Sequence, residues 1–125
     1  MELKNLDHFV LTVKNINASC DFYHNVLGMR VITFNHGRKA LRFANMKINL
    51  HEVGHEFEPK ALHPTPGSAD LCLITKTPLS KVVDELHAKH IQIEQGPIAK
   101  SGALGPIKSV YFRDPDRNLV EVSTY

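Results

Sequence analysis

Four short apolar runs of this sequence each carry side chains able to do chemistry. They are His8 in "LDHFVLTV", Asn49 and His51 in "INLHEV", Asp70 and Cys72 in "ADLCLITK", and Glu121 in "LVEVSTY". Successive side chains of an extended segment point to opposite faces, so each run divides into an apolar face and a polar one. Phe9, Leu11 and Val13 stand opposite His8, and Ile48 and Leu50 opposite Asn49 and His51. Leu71 and Leu73 stand opposite Asp70 and Cys72, and Val120 and Val122 opposite Glu121. A His, an Asn or second His, an Asp and a Glu make an oxygen and nitrogen donor set plausible for a divalent cation. The same alternation arises in any sheet with one packed face and one wet face, where polar residues need no function. Spacing alone leaves both readings standing. The chain holds no HExxH, and its two cysteines form no CxxC, so no local motif decides between them.

The elements that must position these residues follow from periodicity. A strand is predicted at 6 to 13 and a helix at 16 to 27, stopped by Gly28 in a left-handed cap. Strands at 29 to 35, 40 to 45 and 48 to 53 follow, separated by turns at His36-Gly37 and Asn45. The segment 54 to 68 is polar and rich in proline and reads as a linker. The plan then restarts with a strand at 69 to 76. Thr77 and Pro78 serve as N-cap and first-turn proline of a helix with the stripe Leu79, Val82, Val83 and Leu86, ending near His90. Strands at 91 to 95, 107 to 113 and 119 to 125 complete it, with a loop at 96 to 106 and a turn at "DPDRN". The expectation is one α+β domain over 1 to 125, built of two βαβββ modules, 1 to 53 and 69 to 125. Their curved sheets would pair around a concave cavity, bringing the first and last strands of each module together.

Composition narrows the partners. Hydrophobic residues make up 42% and charged residues 22%, an ordinary globular balance, and the formal net charge is +2 with Lys and Arg scattered. Neither nucleic acid nor an anionic membrane is favoured, and a small molecule is the default partner. The first residues lack a basic stretch followed by an apolar core, and no run approaches the roughly 18 apolar residues of a membrane span. The expected location is the cytoplasm, where Cys20 and Cys72 would be reduced thiols packed as small apolar groups. Arg42 is either a holder of a substrate anion or a plain exposed arginine. Tyr23, His24, His36, His55, His63, His87 and His90 fall on helix or loop positions and read as solvated. The loop 96 to 106, with its three glycines and two prolines, is either a lid or a plain connection. Aromatic residues reach only 7%, with no Trp, so an aromatic-lined groove is not signalled.

Two stretches carry a family resemblance. "LDHFVLTVKNINASCDFYHNVLGMRV" and the closing "VYFRDPDRNLVEVS" resemble the vicinal oxygen chelate superfamily of glyoxalase I, fosfomycin-resistance transferases, bleomycin-binding proteins and extradiol dioxygenases. More narrowly, "NLHEVGHEFEPKALHPTPGSADLCLIT" is similar to the branch of glyoxalase domain-containing protein 5 and its virulence-associated bacterial relatives. The resemblance implies a divalent metal ion, such as Zn, Ni, Mn or Fe, held on the first and last strands of each module. Carried over residue by residue, His8 and Glu121 match the metal positions. Asn49 stands where glyoxalase I has Glu, with His51 next on the same face, and Asp70 stands where these enzymes have His. His8, Asp70 and Glu121 would then hold the metal, with Glu121 or Asp70 as the base of a glyoxalase-type lyase or isomerase. If His51 joined them, the set would resemble the two-His, one-carboxylate site of an Fe(II) ring-cleaving dioxygenase. Metal-free binding and resistance modules share the same fold. Asn49, Arg42 and Cys72 are the candidate substrate contacts, and pairing of modules across a homodimer is implied.

Overall fold

The first helix begins where the sequence supplies a cap. In the computed structural model, which describes residues 1–125, α1 spans Ile16–Leu27 and the Asn15 side-chain oxygen accepts from Ala18 N at 2.9 Å. That satisfies one of the amide groups a helix start leaves without a partner. Gly28 ends the helix at φ 70°, and the amides of Gly28 and Met29 return to the carbonyls of His24 and Tyr23. Around this helix the first unit, residues 1–67, forms a mixed four-stranded sheet from β1 (His8–Val13), β2 (Arg30–Phe34), β3 (Arg38–Phe43) and β4 (Met46–Glu52). The strand order is β1-β4-β3-β2, with β1 and β4 parallel at one side and the other pairs antiparallel.

Register explains which face is packed. Leu11 lies beside Leu50, and Ile48 lies between Phe9 and Leu41, and of these Leu11, Leu41, Ile48 and Leu50 are buried. Tyr23, read from sequence as solvated, is fully buried. It follows buried Cys20 and Ser19 by one turn, so it shares their inward face. The segment 54 to 68, read as a linker, has no helix or strand; up to Gly67 it belongs to the first unit, and Ser68 begins the second.

The second unit, residues 68–125, repeats the plan with β5 (Asp70–Ile74), α2 (Leu79–Ala88), β6 (Gln95–Gly102), β7 (Gly105–Arg113) and β8 (Leu119–Thr124). Its sheet runs β5-β8-β7-β6, again with the first and last strands parallel. Val82 and Leu86 of α2 are buried, as are Val110, Phe112, Val120 and Val122 of the sheet. The chain is therefore an α+β fold of two βαβββ units.

Two expectations fail here. Thr77 does not cap α2. The cap position falls on Pro78, without a side-chain bond, while the Thr77 amide donates to Thr75 Oγ1. The segment 96 to 106 is not a loop, and the strand expected at 91 to 95 begins only at Gln95. Glycine and proline signalled an irregular stretch, yet β6 accommodates them at an edge, where a register shift lies between Gln95 and Ile98. Gly96, at φ +106°, presses its backbone against the Ser109 carbonyl, leaving no room for a Cβ. A tight β6–β7 hairpin stands where a loop, either lid or plain connection, was expected.

The turn "DPDRN" sets where β8 begins. Asp114 Oδ1 accepts from the amides of Asp116 and Asn118, each at 2.9 Å, and Oδ2 from Asn118 Nδ2 at 2.8 Å. Asn118 Oδ1 in turn accepts from the Ala69 amide at 2.9 Å, tying the turn to the start of β5. Both side chains are buried. Asp114→Ala strands these donors and should lower the unfolding free energy by about 2–4 kcal/mol in urea denaturation. A loss below about 0.5 kcal/mol, the range of an ordinary surface change, would mean that the turn does not hold the register.

Candidate functional site

Glu121 answers why an acid sits in an apolar strand. It lies beside Tyr111 on β7 and Cys72 on β5, on the face opposite buried Val120 and Val122. Ser109 Oγ donates to its Oε1 at 2.5 Å, and Ser123 Oγ stands 3.2 Å from the same oxygen. The two serine hydroxyls are 2.7 Å apart, and Cys72 Sγ lies 3.3 Å from Ser123 Oγ. Each hydroxyl has a single proton; with that of Ser109 committed to the carboxylate, Ser109 accepts from Ser123, whose proton is shared between Ser109 and Glu121. Burial pushes the Glu121 carboxyl up, but hydrogen bonds from Ser109, Tyr111, Ser123 and Cys72 outweigh it and hold it below the usual carboxylate range. The Tyr111 phenol is pushed up to about 12, by burial and then by its bond to Glu121. Partial desolvation of the sulfur, on a residue whose other atoms stay exposed, likewise raises the Cys72 thiol, with Ser123 opposing and Glu121 adding to it. At neutral pH the cluster is one anion held among neutral donors.

The first unit carries the opposite charge. Four basic residues stand in register across its sheet: Arg30 beside Arg42, Arg42 beside Lys47, Lys47 beside His8. Like charges placed opposite one another are unfavourable, so this row exists at a cost to the sheet. Asp7 meets only its end, accepting His8 Nδ1 at 2.7 Å. Further along the same face, His51 is 2% exposed and Asn49 is 7% exposed. Arg38 Nη2 lies 3.3 Å from His51 Nε2, and its guanidinium stacks on Phe57 at 4.2 Å. Burial lowers the His51 pKa, and Arg38 lowers it further. A cavity of about 350 Å³ opens beside His51, lined also by Val10, Thr12, Lys60, Ala61 and two prolines.

These placements sort the sequence-derived candidates. Asp70 and Cys72 share Glu121's face of the second sheet, through the pairs Asp70 with Leu119 and Cys72 with Glu121. Cys72, expected to be packed, is exposed, because β5 is an edge strand whose outward positions stay open, while Cys20 is buried as expected. His8 and Arg42 are exposed and Asn49 and His51 are buried, all in the first unit. Within neither unit do three or more His, Cys, Asp or Glu side chains gather around a common point. His8 still has the chemistry of a ligand: a carboxylate on Nδ1 fixes the tautomer and leaves Nε2 for a metal. His51 does not, since a guanidinium donates to its Nε2 and a cation there would meet that charge. Arg38, Ser109, Tyr111 and Ser123 were missed in the sequence. Alternation in "IKSVYFR" places Ser109 and Tyr111 on one face, but only the register shows that it is Glu121's face.

Glu121 contributes to stability through its depressed pKa. An unfolded carboxyl titrates near about 4.3, so this contribution is complete above that value and disappears as pH falls through the folded-state value. Glu121→Gln should flatten the acid side of the stability profile measured by urea denaturation, and an unchanged profile would refute the assignment.

Comparison with known proteins follows the same geometry. The family model described as the glyoxalase/bleomycin resistance protein/dioxygenase superfamily matches residues 5–122. The chain is 53% identical to virulence protein STM3117 of Salmonella typhimurium, over 100% of this chain and 87% of that protein. The crystal structure of STM3117 superposes with a TM-score of 0.99, covering 100% of this chain and 99% of the other. Glyoxalase domain-containing protein RDO1 of Mycosarcoma maydis is 48% identical, over 100% of this chain and 70% of that protein. A Vibrio cholerae integron cassette protein is 52% identical with a TM-score of 0.98, covering 100% and 98% of the two chains. No helix here is long and apolar enough to cross a membrane.

Proposed function

This chain belongs to the glyoxalase/bleomycin resistance protein/dioxygenase superfamily, and on that premise we propose that it is a lyase or isomerase of the glyoxalase type acting on a small oxygenated molecule. The observation that carries the reading is Glu121, an ionised carboxylate clamped by hydroxyl and thiol donors on a half-buried sheet face. A group held this way is oriented before substrate arrives, which general acid–base chemistry requires. The same donors keep Glu121 ionised and ready to accept a proton, with Tyr111 remaining a neutral donor. Asp70, diagonal to Glu121 and exposed, is the second carboxylate for proton handling.

A divalent ion such as Zn, Ni, Mn or Fe, with His8, Asp70 and Glu121 as ligands, would supply polarisation of adjacent substrate oxygens. His51 is left out of this set because of Arg38, which removes the support for an iron-dependent ring-cleaving reaction. The test is elemental analysis of protein purified without chelator, then turnover of methylglyoxal with thiol cofactors. Metal should co-purify, His8→Ala should lose it, and Glu121→Gln should lower turnover by about 10²–10⁴-fold. Metal-replete protein without turnover would eliminate the glyoxalase reaction.

A second reading, a metal-free small-molecule binding module, is favoured by the lack of three gathered ligands in either unit. Absence of co-purified metal, with ligand binding unchanged in His8→Ala, would select it. Under either reading the chain is proposed to be a homodimer. Its edge strand β5 leaves Ile74 at 54% exposure, apolar surface that a second copy would cover. Light scattering should return twice the chain mass, and a monomer at high concentration would exclude pairing.

A further inference from the structure

We propose that the cavity beside His51 in the first unit binds a small carboxylate with a short apolar body, held by His51, Thr12 and Lys60 and positioned by Arg38. This goes beyond the reading of Glu121 and depends neither on a metal nor on catalysis.

The Arg38–His51 contact fixes the imidazole. A guanidinium has donors and no acceptor, so His51 Nε2 must accept and the ring proton must sit on Nδ1. A ligand reaching Nδ1 of His51 would therefore meet an N–H rather than a lone pair. Thr12 adds a hydroxyl and Lys60 an ammonium, which makes every polar group of the lining able to donate. No carboxylate lines the cavity. Glu58 is engaged by Lys60 Nζ at 2.6 Å, and Glu56 acts on both Lys60 and His51.

Two buried atoms next to the lining residues, on Asn49 and Arg38, are left without a polar partner. Asn49 Oδ1 and Arg38 Nε have none, although Asn49 is 7% exposed and lies two residues from His51 on the same face. One is an acceptor and one a donor, the pair of functions that a hydroxyl and an anionic oxygen supply. The basic row of Arg30, Arg42, Lys47 and His8 lies on this face, and its field favours approach of an anion. Val10, Ala61 and two prolines account for the rest of the wall. Such a wall suits the carbon chain of a weakly hydrated monoanion and disfavours a phosphate dianion, whose remaining oxygens would lose water without gaining donors.

The experiment is NMR titration of the full chain with lactate, propionate, lactamide and inorganic phosphate, following His51 ring signals and the Val10, Thr12 and Ala61 amides. Lactate and propionate should shift these resonances saturably, in the millimolar range expected of ligands with few heavy atoms. Lactamide, without the charge, should bind at least about tenfold more weakly, and phosphate should leave the cavity unshifted. Arg38→Gln should weaken lactate about tenfold and raise the His51 titration midpoint, and Arg38→Lys, which restores the charge, should bring the midpoint back down, which separates lost charge from lost packing. Lys60 is on the surface, so Lys60→Ala keeps the fold and should weaken lactate several-fold; circular dichroism checks each variant. Equal binding of lactamide, preference for phosphate, or no saturable shift from either carboxylate would each overturn the proposal. None of these results bears on Glu121, so failure here is distinguishable from failure of the enzymatic reading.

Discussion

The Asp114 carboxylate is the constraint on which the second unit depends. With two amides on one oxygen and the Asn118 side chain on the other, it folds five residues into a turn of fixed length. Asn118 then reaches the Ala69 amide, so β5 and β8 are registered by one side chain before their ladder begins. A strand has a period of two, and a slip of one residue would turn Val120 and Val122 outward and drive Glu121 into the packed layer. The local turn therefore decides whether the carboxylate lies among hydroxyls or among hydrocarbon.

The two units share a topology and differ in the chemistry of their open faces. Each has the same strand order and the same parallel pairing of first and last strands. On the first sheet the corresponding positions hold basic residues and a buried imidazole under a guanidinium. On the second they hold carboxylates, hydroxyls and a thiol. A common backbone plan has thus been given one cationic lining and one anionic lining, which is how a fold hosts unlike tasks without altering its core.

Most of the architecture was legible because it is written in local signals. Asn15 and Gly28 bound α1, alternation separates Leu50 from His51, and the "DPDRN" turn appears where expected. What failed was local chemistry overridden by pairing. Gly96 and Pro97 look like a loop until β7 pairs with them, and Tyr23 looks solvated until the sheet closes over it. Of the candidate residues, His8 could be assigned to the open face of the first sheet, and Asp70 and Glu121 to that of the second, by alternation alone. The partners that set their character could not, because Ser109, Tyr111 and Arg38 meet their targets across strands whose register no short window reveals.

Gly96 shows how far such dependence extends. Its backbone rests on the carbonyl of Ser109, the residue whose hydroxyl holds Glu121. A position with no side chain thereby governs the proton inventory of an acid on another strand, through volume alone. Among natural variants, a change at 96 would mimic damage to the acid–base machinery while every reacting group stayed intact. Surveys that score positions by chemical functionality would pass over it.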